Sequence, residues 1–237
     1  MATLCLILWR RLGYTRTVVE SLSQCLGIEN YKLNIFIDYG YREVSEFIKQ
    51  YNFPCETYVT IHKRRLGSNA NTLCALEHSF RDDDFVIVLE DDIVPALDCL
   101  RYFEFCDEVF RLDKSVFSAT SYSKGKCEVR YNYSVRRQHW YTPWGWATWV
   151  DRWQEMARGW QAGRQPGWDG RINKMRGARV EVQPHLARTQ NIGAENGTWC
   201  PGPEWHRENQ YNEYGAWSIE INPSVTFVQV DNPDRHC

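Results

Sequence analysis

Short apolar runs alternate with amphipathic segments over the first half of the chain. In the first amphipathic segment, apolar residues recur at helical spacing, as at Val18, Val19 and Leu22. The apolar runs predict strands at residues 3–8, 33–37, 56–61, 85–89 and 116–119. The amphipathic segments predict helices at residues 14–25, 44–51, 69–79 and 98–110. This alternation favours a parallel sheet with crossover helices, in which ligands gather at the carboxyl ends of the strands.

The pattern changes at Tyr122. Residues 122–217 are rich in Trp, Gly, Pro and Arg and have weak periodicity, which predicts an irregular half over the edge of the sheet. No repeat, low-complexity tract or linker interrupts the chain. We therefore expect a single domain over residues 1–237, with 1–121 as the sheet-forming half and 122–237 as the second half.

Composition and short motifs exclude several functional classes. A formal net charge of -2 gives no reason to expect nucleic acid or an acidic membrane surface as a partner. No CxxC pair occurs among the nine Cys, and the chain has neither a GxxxxGK[ST] phosphate loop nor a GxGxxG fingerprint. The N-terminal apolar run ends at Trp9, and no later run is long enough to span a membrane. We therefore expect a cytoplasmic protein with reduced thiols and no transmembrane segment.

An acidic triplet ends the most apolar strand. The run 85–89 leads directly into Glu90, Asp91 and Asp92. Adjacent carboxylates repel each other unless a cation compensates, and their hard oxygen atoms suit Mn²⁺ or Mg²⁺. A second triplet at 82–84 precedes the strand and is expected at the opposite edge of the sheet. A solvated acidic turn is the alternative interpretation of the first triplet.

Several ordered segments resemble one enzyme family. They are VLEDDIVPALDCLRYF at 88–103, PWGWATW at 143–149, WDGRINKMRG at 168–177 and VEVQPHLARTQNIG at 180–193. With the acidic strand end, they resemble the GT-A glycosyltransferases, and more narrowly the inverting N-acetylglucosaminyltransferase I-type enzymes and small microbial and viral family 2-like relatives. The resemblance implies a Rossmann-like α/β sheet with a nucleotide-sugar-binding half at 1–121 and an acceptor-binding half at 122–237. It also implies inverting transfer from a nucleotide sugar, expected to be a UDP-sugar, with Mn²⁺ or Mg²⁺.

The resemblance also implies roles for individual residues of the donor site. Asp92 would be the direct metal ligand of a DXD-type motif, and Asp91 and Glu90 would hold the donor sugar or the water around the metal. Asp38, which follows the second strand, would contact the base or ribose. Arg10, beside Trp9 at the exit of the first strand, would line the nucleotide pocket, although the family usually has a small polar residue and Arg there.

The same resemblance makes Asp169 the general base that deprotonates the acceptor hydroxyl. Family enzymes often have two adjacent acids here, whereas this chain has Asp169 followed by Gly170. The alternative is that Asp169 caps a helix starting near Gly170.

Three further features have a functional and a structural interpretation. Trp144, Trp146 and Trp168 form either an aromatic wall for a sugar or ordinary core packing. Arg65, in the basic run 62–65, either meets a diphosphate or is a solvated loop residue. Residues 194–202 have the composition of a mobile loop that would close over the donor.

Two His residues and two rival functions remain open. His185 and His206 are either late metal ligands or ordinary buried or surface His residues. The rival functions are a nucleotidyltransferase and a catalytically silent sugar-binding protein. The acceptor is equally open between a glycan, a lipid-linked sugar, a protein and modified nucleic acid.

Overall fold

The structure is a computed structural model that describes residues 2–39, 41–160, 167–195 and 200–230. Its strands are β1 (Thr3–Leu8), β2 (Lys32–Ile37), β3 (Glu56–Ile61), β4 (Phe85–Glu90), β5 (Ile93–Pro95), β6 (Val116–Thr120), β7 (Ser134–Gln138), β8 (Trp146–Trp149), β9 (Val180–Pro184), β10 (Thr189–Asn191) and β11 (Val228–Gln229). Its helices are α1 (Leu12–Leu22), α2 (Arg42–Gln50), α3 (Ser68–Ser79), α4 (Cys99–Phe110), α5 (Val150–Gly159), α6 (Trp168–Arg176) and α7 (Pro203–Asn209).

The main sheet has the order β11-β7-β9-β6-β8-β4-β1-β2-β3. Strands β1 to β4 are mutually parallel where they pair, as the alternating pattern predicts. The five predicted strands are confirmed to within a residue. Four of them are largely apolar runs, and β3 is instead rich in β-branched and aromatic residues. Parallel pairing brings the carboxyl ends of β1, β2 and β4 to one edge.

The second half contributes strands to the main sheet, whereas its weak periodicity predicted an irregular region over the edge of the sheet. Strand β8 runs antiparallel between β4 and β6, inside the sheet and not over its edge. A separate two-stranded sheet pairs β10 with β5, so Asn191 lies opposite Ile93. This pairing brings the end of β10 next to the acidic triplet.

Helices cover both faces of the main sheet. Along β1, Leu4, Leu6 and Leu8 pack on the side of α1, α2 and α4, while Cys5 and Ile7 face α3, α5 and α6. Successive side chains of a strand point to opposite faces, so a strand buried on both sides is apolar throughout. Among the described residues, no helix is long and apolar enough to cross a bilayer.

Candidate active site

A cavity of about 250 Å³ opens at the carboxyl ends of β1, β2 and β4. The acidic residues of its wall are Asp38, Glu90, Asp91 and Asp92. The wall also includes Trp9, Arg11, Arg65, Gly67, Ser68, Asn71, Trp144, Asn191, Gly193, Cys200 and Gln210. The triplet at 90–92 therefore lies at the carboxyl end of β4 in the wall of this cavity, whereas the triplet at 82–84 precedes β4 at the opposite edge.

Arg11 is the cationic partner of the acidic triplet. Its guanidinium donates to both carboxylate oxygens of Asp91, with Nε 3.2 Å from Oδ2, and lies 2.8 Å from Oδ2 of Asp92. Both carboxylates are buried, so these charge-assisted hydrogen bonds are shielded from water. Arg11 therefore balances part of the negative charge at the end of β4.

Burial, together with the negative charge that Arg11 does not balance, raises the pKa values of carboxyl groups in the triplet. Burial raises the pKa of Glu90, and the carboxylates of Asp92 and Asp91 raise it further against the opposing effect of Arg11. Burial also raises the pKa of Asp92, with Asp91 adding to the effect and Arg11 opposing it. Carboxyl groups with raised pKa values favour any ligand that brings positive charge to the site.

The triplet fits a cation that is shared with phosphate oxygens. Among the described residues, no group of three or more His, Cys, Asp and Glu side chains forms a metal-binding cluster. Mg²⁺ is commonly held by one or two carboxylates together with substrate phosphates and water, and hard oxygen ligands also suit Mn²⁺. The contact between Arg11 and two carboxylates shows that positive charge is accommodated here. These residues could hold Mn²⁺ or Mg²⁺ through Asp92, but not inside a cage made of protein alone.

Asp38 ties the end of β2 to the turn that leads into α3. Its Oδ1 accepts hydrogen bonds from the backbone amides of Tyr39 and Leu66, each at 2.8 Å. Its Oδ2 accepts one from the amide of Gly67 at 3.0 Å. The carboxylate is buried at the cavity wall, so the predicted donor-site residue also shapes the turn at 66–67.

The two adjacent arginines after β1 differ in position. Arg10 is exposed, with its guanidinium 4.2 Å from the centre of the Trp9 ring, and it borders a shallower depression beside the cavity. Arg11 projects into the cavity wall instead. Arg65 also lines the cavity, 5.4 Å from the Trp9 ring centre. Arg11 and Arg65 therefore share the cavity with the acidic residues, whereas Arg10 borders the neighbouring depression.

Asp169 is exposed in the first turn of α6. The helix begins at Trp168 after Gly167, so Asp169 is not the cap of a helix starting near Gly170. Beyond the larger effect of burial, Asp169 contributes to the raised pKa values of both Glu90 and Tyr141. Asp169 does not line the cavity itself, but its charge is within electrostatic reach of the acidic strand end.

The structure corrects the aromatic wall. Trp146 is fully buried and Trp168 is 5% exposed, and their rings stack with centres 5.8 Å apart. Trp168 also stacks on Trp160 at 6.0 Å, so this aromatic column fills the core between the sheet and helices α5 and α6. Packing explains these two side chains. Of the three predicted tryptophans, Trp144 is the one that faces the cavity.

Both halves of the chain supply polar residues to the cavity that the sequence did not single out. Asn191 lines the cavity, and its Oδ1 accepts hydrogen bonds from the Gly193 amide at 2.8 Å and from Nε2 of His206 at 3.1 Å. Asn71 lines the opposite wall and its Oδ1 lies 2.9 Å from Nε2 of His62. Neutral amide side chains do not stand out in the charge pattern of a sequence. These two reach the same cavity only through contacts between residues that are far apart in the chain.

The two late His residues have structural partners. His206 is buried behind Asn191, while His185 stacks on Tyr131 and its Nδ1 lies 2.9 Å from Oγ of Ser134. Burial lowers the pKa of both imidazoles. Of the loop predicted at 194–202, residues 196–199 lie outside the described residues.

Residues 68–200, more than half of the 237-residue chain, match the GNT-I family. The chain belongs to this family. The GNT-I family chain is also 30% identical over 123 residues to an alpha-1,3-mannosyl-glycoprotein 2-beta-N-acetylglucosaminyltransferase from Arabidopsis thaliana. That alignment covers 50% of the GNT-I family chain and 28% of the relative, so the chain spans less than a third of the relative's length.

Solved structures share the fold of this GNT-I family chain. TarS from S. aureus, in complex with UDP-GlcNAc, has a TM-score of 0.59 at 10% identity, covering 80% of this chain and 58% of TarS. A mannosyltransferase from Pyrobaculum calidifontis with GDP-Man and Mn²⁺ has a TM-score of 0.53 at 9% identity, covering 77% and 54%. GalNAc-T7 with UDP, GalNAc and Mn²⁺ has a TM-score of 0.53 at 12% identity, covering 78% and 43%. The GT-A fold predicted from the sequence is confirmed.

Proposed function

We propose that this chain is an inverting, metal-dependent glycosyltransferase that moves a sugar from a UDP-sugar to an acceptor hydroxyl. The observation that carries the proposal is the cavity of a GNT-I family fold in which Asp38, the triplet and Arg11 converge. Three acids beside a partly buried Arg suit a ligand that carries both phosphates and a divalent cation. The UDP, UDP-GlcNAc and Mn²⁺ bound in the structural relatives support the same donor chemistry.

Within this proposal, the cavity residues contact different parts of the donor. Asp38 is placed to accept a hydrogen bond from the ribose or base, and Arg65 and Arg11 lie where negative charge of a diphosphate can be neutralised. Glu90 and Asp91 orient the donor sugar. A divalent cation bound at Asp92 would neutralise charge on the departing diphosphate.

The acceptor step rests on Asp169. Inversion in a single displacement requires a base on the face of the sugar opposite the leaving group, and that base takes the proton of the acceptor hydroxyl. The electrostatic proximity of Asp169 to Glu90 supports this role. Trp144 supplies an apolar face beside the reacting sugar.

The proposal is tested with a panel of nucleotide sugars and purified protein, in Mn²⁺, Mg²⁺ or EDTA. Release of nucleoside diphosphate from one donor, abolished by EDTA and by Asp92→Asn, is the expected result. The matched control is Asp84→Asn, since Asp84 immediately precedes β4 and its side chain is 72% exposed. The anomeric configuration of the product, read by NMR, tests inversion.

Two other outcomes would replace the proposal. Release of pyrophosphate from a nucleoside triphosphate would indicate a nucleotidyltransferase. Glycan binding that needs neither metal nor nucleotide, with no donor turnover, would indicate a sugar-binding protein.

A further inference from the structure

Helix α6 has no side-chain cap from its N-cap residue. Its N-cap position is Gly167, which has no side chain to accept a hydrogen bond from the first turn. The first amides of a helix lack partners within the helix and need an acceptor from elsewhere. The amide of Trp168 donates instead to Oδ1 of Asn69, at 3.1 Å.

Asn69 also contacts Trp160, the residue that follows α5. Its backbone carbonyl accepts a hydrogen bond from Nε1 of Trp160, at 3.2 Å. Trp160 and Trp168 stack on each other, so one residue of α3 contacts both members of a buried aromatic pair. Asn69 and Trp168 are 99 positions apart in the sequence, which makes this a tertiary contact between the two halves of the chain.

The turn that leads into α3, two residues before Asn69, is part of the wall of the donor cavity. The amide of Gly67 donates to Asp38, and Gly67 and Ser68 both line the cavity. Two covalent links separate Gly67 from Asn69, and one separates Trp168 from Asp169. A short path of two hydrogen bonds therefore joins the Asp38 carboxylate to the backbone that carries Asp169.

We propose that Asn69 is a positioning residue that sets Asp169 relative to the bound donor. The inference rests on the proposed function, because it assigns Asp169 to the acceptor step. By capping α6 from α3, Asn69 fixes the first turn of α6 in register with the wall of the donor cavity. Small displacements of a catalytic group are costly to the rate, whereas donor binding depends on the cavity wall itself.

The kinetic test compares Asn69→Ala with Asn69→Asp. The Ala variant removes the acceptor for the Trp168 amide, and the Asp variant keeps an oxygen at the same reach. We expect Asn69→Ala to lower kcat about tenfold, to change the Kd of UDP with Mn²⁺ less than about twofold, and to be largely rescued in Asn69→Asp. Asn209→Ala is the matched control, because Asn209 is exposed and its amide donates within α7.

A double-mutant cycle separates positioning from general loosening. If Asn69 acts through Asp169, adding Asn69→Ala to Asp169→Asn should lower the residual rate less than about twofold. An equal loss in both backgrounds would overturn the inference, and so would a loss confined to UDP affinity. Asn69→Ser, whose side chain is shorter, replaces Asn69→Ala if that variant does not fold.

Hydrogen exchange tests the contact without relying on turnover. The Trp168 amide should exchange at least about fivefold faster in Asn69→Ala than in wild type, and near the wild-type rate in Asn69→Asp. Equal exchange in wild type and Asn69→Ala would overturn the capping role even in an active enzyme. If the wild-type chain transfers no sugar, the proposed function fails, and the assignment of Asn69 to Asp169 falls with it, whereas faster exchange would still establish the cap.

Discussion

The carboxylate of Asp92 lies directly against the α-carbon of Gly193. A Cβ atom placed at residue 193 would lie 2.0 Å from Oδ2 of Asp92, far closer than any van der Waals contact permits. The turn is held in place because the Ile192 amide donates to the Asp92 carbonyl at 2.9 Å and the Gly193 amide donates to Asn191 at 2.8 Å. Glycine at 193 is therefore what leaves room for the proposed metal ligand.

Gly193→Ala should displace the Asp92 carboxylate and lower donor turnover by about tenfold or more, a loss that excess Mn²⁺ only partly restores. Turnover at increasing Mn²⁺ concentration measures the effect. Gly13→Ala is the control, since no atom lies within 4 Å of a Cβ at that helical position and its activity should be unchanged. Wild-type Mn²⁺ dependence in Gly193→Ala would show that Asp92 does not need this position.

Trp144→Ala should weaken binding of the sugar substrate whose ring it faces. Loss of about 1 kcal/mol of aromatic contact corresponds to a roughly fivefold increase in KM. Trp140→Ala, at an exposed position, should leave KM unchanged. Trp146→Ala should instead cost about 3–5 kcal/mol of unfolding free energy, because that ring is fully buried. Equal KM values for Trp144→Ala and wild type would remove Trp144 from the substrate site.

Glu181→Gln should alter the pH dependence of stability. Glu181 is fully buried, accepts hydrogen bonds from Ser118, Gln138 and Thr142, and has a pKa that burial raises from 4.5 to about 8. The folded chain keeps this proton where the unfolded chain has lost it, so the group's contribution to wild-type stability falls as pH rises from 4.5 to about 8.

The Gln variant has no proton to lose at this position. Its unfolding free energy, relative to wild type, should therefore increase by at least about 1 kcal/mol between pH 5 and pH 8. Urea denaturation at the two pH values measures the difference, with the exposed Glu108→Gln as control. Parallel pH profiles for Glu181→Gln and wild type would contradict the raised pKa.

Asp98→Ala should destabilise the fold far more than loss of a surface ion pair. Nε of Arg188 lies 3.1 Å from Oδ1 of Asp98, and both side chains are completely buried. Removing one partner leaves an uncompensated charge, which costs about 3–5 kcal/mol of unfolding free energy. Glu46→Ala breaks the exposed pair with Arg42 and should leave the unfolding free energy nearly unchanged, because solvent screens that pair. Similar losses in both variants would mean that Arg188 finds another partner or water.

The sequence predicts the parallel part of the fold well because β1, β2 and β4 are buried on both faces, whereas the parallel edge strand β3 is largely exposed. Strand β4 has a continuous apolar run, and its carboxyl end and acidic triplet are therefore visible without a structure. Strands β5 and β10 are three residues each and form only by pairing with each other, which a sequence pattern does not reveal. Strand β7 is polar along most of its length, so periodicity does not reveal it.

Residues of the candidate site could be predicted from the sequence where they are charged and follow a strand. Residues that reach the cavity only through tertiary packing could not. Asp38 and the triplet stand at strand ends, which sequence patterns locate. Arg10 and Arg11 are identical in type, and the path of the chain after β1 decides which one enters the cavity. The pairing of β10 with β5 places Asn191 at the cavity. The packing of α6 against the sheet places Trp146 in the core instead.

Strand β8 makes the two halves of the chain interdependent. It comes from the second half of the chain yet hydrogen-bonds to β4 and β6, both from the first half. A fragment ending at residue 121 would expose the long edge of β4, an open template for intermolecular pairing. Neither half can be exchanged as a module between relatives without rebuilding the middle of the sheet.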